Sequence, residues 1–292
     1  MRILIIGGHG FIGRNIANAC RAAGHTALTA ARANHQPDIV CDLTDAADAA
    51  SWPRRLSKVD AVINCVGLLY GSAQALQAVH CDAPAAIAAA CKAAKKPFLH
   101  ISVLGLDHAA NTPYFNTKRD GENAILAANP AAIIVRPGAV FGLDSPATQL
   151  LLLQARLPLI ATPRQACNIA PVHVDDLAQL CVTLIATVRA AGAQVDCVGA
   201  QTMSIAAYIQ ALRTGLGSGR AKTLYIPNAV MRAALSVTTR LGARVMRTEA
   251  MDLMEHEHQG DARMFVRWMR RPPRPVHTFL EKEEHTPRTA QT

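Results

Sequence analysis

The chain has 292 residues, half of them apolar, 17% charged and only 4% aromatic, which excludes a disordered chain and leaves room for one large α/β unit or two lobes. Eight cysteines with no CxxC pair and no Cys/His cluster argue against a disulfide framework or a zinc site. The net charge of +9 is concentrated late, with 11 basic against 5 acidic side chains between Arg220 and Arg274. No helix-turn-helix, finger or aromatic stacking signature accompanies that segment, so no nucleic-acid partner is inferred.

In chain order, MRILIIGGHGFIG opens with an apolar run that glycines interrupt after six residues, so it reads as a strand and not as a signal peptide. Further strands are predicted at Ala27 to Ala31, Ile39 to Cys41, Ala61 to Val66, Phe98 to Ser102 and Ala132 to Val135. Between them fall helices at Phe11 to Ala23, near Ala46 to Leu56, at Ala73 to Ala94 and at Pro113 to Ala128, the last stopped by Asn129 and Pro130. Alternating βα units of this kind build a parallel sheet covered on both faces. After Gly142 the alternation weakens. Leu150 to Leu159 reads as a helix, Ile169 to Val174 as extended, Asp175 to Ala190 as a helix capped by Asp175, Gln194 to Val198 as a strand and Ser204 to Leu216 as an amphipathic helix. Helices and loops are expected from there to Glu281, then a disordered polar tail. No stretch reaches the ~18 apolar residues needed to span a bilayer, and a cytoplasmic location is expected.

Gly7, Gly10 and Gly13 form GxxGxxG where the first strand meets the first helix. One glycine permits the tight turn, one lets the backbone approach a phosphate and one allows close helix packing, so His9, Phe11 and Ile12 with these glycines make a pyrophosphate loop on a helix start. After the second strand an NAD site presents an acid to the ribose. Here the chain reads TAARAN, and Arg32 suits the 2'-phosphate of NADP, so NADP(H) is preferred with NAD(H) the alternative. Asp42 and Leu43 follow the third strand, where the carboxylate either accepts from an adenine amine or forms a turn. Cys65, Val66 and Gly67 end the fourth strand and offer a small backbone under the cofactor. Ser102 ends the fifth, and twelve residues on come Tyr114 and Lys118, a YxxxK at a helix start. One turn of helix sets the ammonium beside the phenol, whose free pKa is ~10, and a neighbouring cation favours the phenolate.

This constellation resembles the short-chain dehydrogenase/reductase superfamily, in particular the atypical and extended members grouped as NAD-dependent epimerases/dehydratases. The resemblance rests on GGHGFIG, NCVG, YFNTKRDGENAI, IIVRPGAVFG at Ile133 to Gly142 and VHVDDLA at Val172 to Ala178. Within that superfamily the chain is most similar to the group containing the NADPH-binding accessory subunit of respiratory complex I and its bacterial relatives, which share a TEA-type helix and an RPP stretch like Thr248 to Ala250 and Arg271 to Pro273. The resemblance implies a Rossmann-type doubly wound sheet, with residues 1–142 and about 165–200 forming the dinucleotide core. Residues of about 143–164 and 201–280 would form a small C-terminal substrate lobe. It implies Tyr114 as catalytic acid/base, Lys118 on the nicotinamide ribose, Ser102 on a substrate carbonyl, and Pro137 and Gly138 bordering the nicotinamide. Two departures stand out: Val103 replaces a second hydroxyl after Ser102, and His80 takes the place of a relay asparagine.

The implied function is an NADP-preferring oxidoreductase acting on the carbonyl or carbinol of a small molecule. The rival is a non-catalytic NADPH-holding assembly or sensor protein, since fold alone does not decide function. Glu255-His256-Glu257-His258 lacks HExxH spacing and reads as a polar helix end rather than a metal site. The basic 220–275 segment suits a lobe helix with a solvated face, a membrane surface or a partner subunit, and the alanine-rich face of Ala83 to Ala94 suits a homodimer or a close-packed interior.

Overall fold

The computed structural model describes residues 1–45, 51–106, 111–240, 248–255 and 260–281, with backbone alone for 237–240 and 248–250. In the first half β1 (Arg2–Ile6), α1 (Phe11–Ala22), β2 (Thr26–Ala31), β3 (Ile39–Val40), α2 (Trp52–Leu56), β4 (Ala61–Asn64), α3 (Ala73–Gln77), α4 (Ala83–Ala93), β5 (Phe98–Ile101), α5 (Pro113–Ala128) and β6 (Ile133–Pro137) follow the predicted alternation. The second half holds β7 (Val140–Phe141), α6 (Pro146–Ala155), β8 (Leu159–Pro163), β9 (Val172–His173), α7 (Val174–Ile185), β10 (Gln194–Cys197), α8 (Ile205–Gly215), β11 (Lys222–Ile226), α9 (Asn228–Arg240), α10 (Thr248–Glu255) and α11 (Ala262–Met269).

Seven strands form one parallel sheet in the order β10-β6-β5-β4-β1-β2-β3, so the fold is a doubly wound, Rossmann-type α/β sheet. Its centre reads as unbroken apolar sequence because both faces are covered. In β1, Ile3 and Ile5 join one core with Ile16, Leu177 and Leu180, while Leu4 and Ile6 join the opposite core with Trp52, Ile87 and Phe98. A third cluster gathers Phe141, Leu152, Ile160, Tyr208, Ile209 and Phe279 from the later segments. Phe265 of α11 lies in the first core, beside α7 and β10. Because β1 sits between β4 and β2, the chain reverses direction there and opens a crevice at the carboxyl ends of β1 and β4.

Four local differences from the sequence expectation have physical causes. The helix predicted over Ala73 to Ala94 is interrupted by a π turn at Ala78–Asp82. Pro84 has no N–H to give to the carbonyl of His80, and the turn widens to absorb the loss. The helix after β9 is capped by His173, whose Nδ1 accepts from the Asp175 amide, and not by Asp175 itself; it ends at Ile185. The helix predicted at Leu150 to Leu159 runs instead over α6, because Ser145 caps it and Pro146 starts it. Three strands were not anticipated: the short β7, which pairs with β9, and β8 and β11, which pair in parallel as a separate two-stranded sheet, where the prolines of LPLIATP are tolerated because the ribbon is all edge. The expected helix segment at 46–50, Arg244 and Arg247, His256 to His258 and the polar tail at 282–292 lie outside the described residues.

Candidate active site

The glycine loop is assembled by close approach. Gly7 has φ +79°, which favours glycine, and its carbonyl accepts from the Gly10 amide at 2.9 Å. A Cβ on Gly13 would sit 2.2 Å from the Gly7 oxygen, and one on Gly8 would sit 2.8 Å from Thr29 Cγ2. The start of α1 has no side-chain cap and no acid in its first turn, so the positive end of the helix faces the crevice. Ile12 packs inward against the core and contributes backbone only. The Phe11 ring lies against Gly142, where a Cβ would come within 2.5 Å of it.

At the far corner of the crevice Arg32 is exposed after β2. His9 of the glycine loop stacks on His35, with ring centroids 5.8 Å apart and planes at 22°. The flanking acids are engaged elsewhere. Asp38 accepts from the Thr29 amide and hydroxyl, and Arg14 is tied to Asp144 at 2.6 Å. Asp42 accepts from the amide and hydroxyl of Thr44, bonds that hold its pKa below the usual carboxylate range, with Arg32 adding to the effect. It forms the turn that was one of its two sequence readings. Leu43 is buried and helps line a cavity of about 520 Å³ with Thr44, Trp52, Ser72, Gln74 and Ala83.

Beneath the loop after β4 lies a buried polar row. The Lys118 ammonium is 3.4 Å from the Ile101 carbonyl, and a Cβ on Gly67 would be 3.4 Å from it. Burial pulls the Lys118 pKa down to about 8 against the favourable charge of Glu122. Glu122 is itself held by Arg136 at 2.5 Å. Asn64 donates to His100 Nδ1 at 3.1 Å and accepts from the Val66 amide, which turns the chain away from β4 two residues before the predicted end. Burial holds the His100 pKa well down.

Tyr114 stands in the first turn of α5, which Thr112 caps and Pro113 starts. The lowering expected from Lys118 is not what this environment produces: burial raises the phenol to about 12, so it is a protonated donor at neutral pH. A small cavity of about 110 Å³ opens beside it, lined by Tyr70, Thr112, Phe115, Asp252 and Leu253 among others. Ser102 is buried, and its Oγ has no hydrogen-bond partner among the described residues, an arrangement that costs about 1–3 kcal/mol and marks a donor held ready for something else. Pro137 and Gly138 follow at the end of β6; the Gly138 amide donates to Cys197 and a Cβ there would be 2.7 Å from the Ala170 carbonyl.

His80 is positioned as a clip. Its Nε2 accepts from the Leu68 amide at 3.0 Å, which leaves Nδ1 to donate to Thr117 Oγ1 at 2.9 Å. Burial and the nearby Lys118 push its pKa down to about 3, so the ring is neutral and both nitrogens are committed. Its ring edge meets Tyr114 at 5.7 Å, and its carbonyl is where a Cβ on Gly121 would collide, at 2.0 Å. The sequence reading found the tyrosine-lysine pair, the glycines and the Asn64–Gly67 segment but missed the bond from Asn64 to His100, as well as His35, Thr117 and the Glu122–Arg136 pair. Only Glu122 carried a signal, standing one helical turn beyond Lys118.

The donor geometry fits a dinucleotide: a loop too tight for any Cβ at Gly13, an uncapped helix start and an unpaired buried hydroxyl. Comparison with known proteins places it further. Residues 3–198 match the model of the NAD dependent epimerase/dehydratase family. Ceramide reductase of Caulobacter vibrioides is 29% identical over 193 residues, 63% of this chain and 61% of that protein. The dTDP-4-dehydrorhamnose reductase of Mycolicibacterium smegmatis is 33% identical over 159 residues, 48% and 46% of the two chains. The chain thus spans about half to three fifths of the length of these curated relatives. The human epimerase family protein SDR39U1, solved with NADPH, shares the fold at a TM-score of 0.72 and 18% identity, covering 96% of this chain and 98% of that one. With most of its length matched, the chain belongs to the NAD dependent epimerase/dehydratase family.

Proposed function

We propose that the chain is an NADP(H)-preferring oxidoreductase of the short-chain dehydrogenase/reductase type that reduces a carbonyl, or oxidises the corresponding alcohol, on a small molecule. The observation that carries this reading is the unpaired, buried Ser102 hydroxyl at the end of β5, next in the chain to the Ile101 carbonyl that the buried Lys118 ammonium approaches, with the protonated Tyr114 phenol one helical turn before Lys118 on α5. The bound nicotinamide supplies or accepts the hydride. The Ser102 hydroxyl donates to the carbonyl oxygen, Tyr114 gives it the proton, and Lys118 stabilises the phenolate left behind. Arg32, beside the stacked His9 and His35 rings, supplies the positive charge that selects a 2'-phosphate, and the curated relatives named above are themselves reductases. In this reading residues 1–142 with about 165–200 hold the coenzyme. Residues of about 143–164 and 201–280 shape the substrate side, with α11 buttressing the coenzyme half.

The test is NADPH oxidation by the purified protein with a panel of aldehydes, ketones and quinones, beside Tyr114→Phe and Ser102→Ala and with NADPH binding followed in the same samples. Turnover that both variants lose, with binding retained, is the expected result. A second reading, an NADPH-holding assembly or sensor protein, is favoured by one observation: His80 has no nitrogen left for proton relay. Tight NADPH binding with no turnover on any class would select it.

A further inference from the structure

Two stretches of the later sequence carry charge of one sign only. From Ser145 to Val174 and from Cys197 to Thr248 the sequence contains no aspartate or glutamate, yet carries nine arginines and lysines. On this carboxylate-free stretch the structure leaves large apolar side chains in solvent: Leu153 is 57% exposed, Leu157 51%, Leu224 48% and Tyr225 55%. They belong to one continuous piece of structure. Leu153 lies in the last turn of α6 and Leu157 in the turn that follows it, the Pro158 carbonyl accepts from the Lys222 amide, and β8 and β11 pair from Leu159 with Lys222 to Pro163 with Ile226.

The register decides which face is which. Ile160 and Thr162 are buried toward the third apolar cluster, so the alternate positions Leu159 and Ala161, with their partners Lys222 and Leu224, point the other way. Lys222, Arg156, Arg164 and Arg220 are all exposed around them. The nearest described acids, Asp252 and Glu255, are already bound by Arg232. Leucines flanked by cations, with no carboxylate among them to repel a negative surface, match the chemistry of an anionic bilayer: apolar side chains enter the headgroup boundary while the cations meet lipid phosphates. An acidic protein would match the charges but would leave four leucines without an evident use.

We propose that the face built from the end of α6 and the β8–β11 ribbon docks the protein on an anionic lipid bilayer. This does not rest on the coenzyme reading, since the contact involves none of the crevice residues.

The test is sedimentation of the full chain with vesicles of mixed phosphatidylglycerol and phosphatidylcholine and with phosphatidylcholine alone, beside a polyglutamate resin. Binding to the anionic vesicles only, released by salt, weakened about fivefold in Lys222→Ala and abolished in Leu157→Glu/Leu224→Glu, is the expected pattern. Thermal midpoints and NADPH binding report that the variants are folded; should the double leucine variant fail to fold, Arg156→Ala/Lys222→Ala takes its place with a correspondingly larger loss of partitioning. Equal binding to both vesicle types, binding to neither, or full binding by the substituted proteins would overturn the proposal. Retention on polyglutamate without vesicle binding would overturn it in favour of an acidic protein partner.

Discussion

Gly13 has little freedom, since a Cβ there would sit 2.2 Å from the Gly7 carbonyl oxygen, within the turn proposed to receive the pyrophosphate. Gly13→Ala is therefore expected to weaken NADPH binding by roughly a hundredfold and to lower the thermal midpoint, measured by fluorescence titration and calorimetry; unchanged affinity would show that the loop does not hold the coenzyme. Lys118 makes a different prediction. Its pKa of about 8 lies below the ordinary value of 10.5, so the folded protein gives up this proton before the unfolded chain does. Burying the charged form costs stability below about pH 8, and the cost fades as the pH rises through that value. Lys118→Met should accordingly stabilise the protein at neutral pH by about 1–3 kcal/mol in urea denaturation, with the gain shrinking in alkali, while turnover is lost. In the parent protein kcat/KM should fall as pH rises past about 8, because the ammonium that supports the Tyr114 phenolate disappears. His80, neutral above about 3, should add no limb to that profile.

At the scale of elements, the RPP stretch that the sequence showed only as a resemblance has a definite task. Asp176, fully buried at the start of α7, accepts from Arg271 at 2.7 Å and from the Arg274 amide at 2.7 Å. It straps the segment after α11 to the sheet. Asp176→Ala should cost about 2–3 kcal/mol in equilibrium unfolding, since it strands the Arg274 amide and takes the acceptor from the partly solvated Arg271, and Arg271→Ala should cost a comparable amount because it leaves the buried carboxylate without its cation. The strap also explains what was legible beforehand and what was not. The βα alternation, the GxxGxxG turn and the tyrosine-lysine spacing are local patterns, each written within about a dozen residues, so reading them needs no knowledge of the fold. In sequence Asp175 reads as the cap and Asp176 has no role, and only the approach of Arg271 and Arg274, almost a hundred positions later, reveals the task of the second aspartate. The π turn at His80 depends on Pro84 locally but also on Gly121 of another helix. The β8–β11 ribbon could not be seen because neither strand alternates cleanly and their pairing spans about sixty residues.

For the molecule as a whole, a ligand bound only by the folded state raises the midpoint by mass action, about 2.7 kcal/mol at a hundredfold excess over Kd. NADPH should therefore shift the thermal midpoint by several degrees, NADH should shift it less, and Arg32→Ala should bring the two together. Equal shifts with the parent protein would refute the preference for the phosphorylated coenzyme. The strand order carries a last consequence, for synthesis. The β6 strand, complete at Pro137, has β10 as its neighbour, which arrives some sixty residues later, and Phe265 completes one face of the sheet only near the end of the described chain. A nascent polypeptide emerging from the ribosome with its first 142 residues thus has its glycine loop made but a raw, apolar strand edge still open. For much of translation the sheet cannot finish folding, and that interval is when a chaperone would find something to grip.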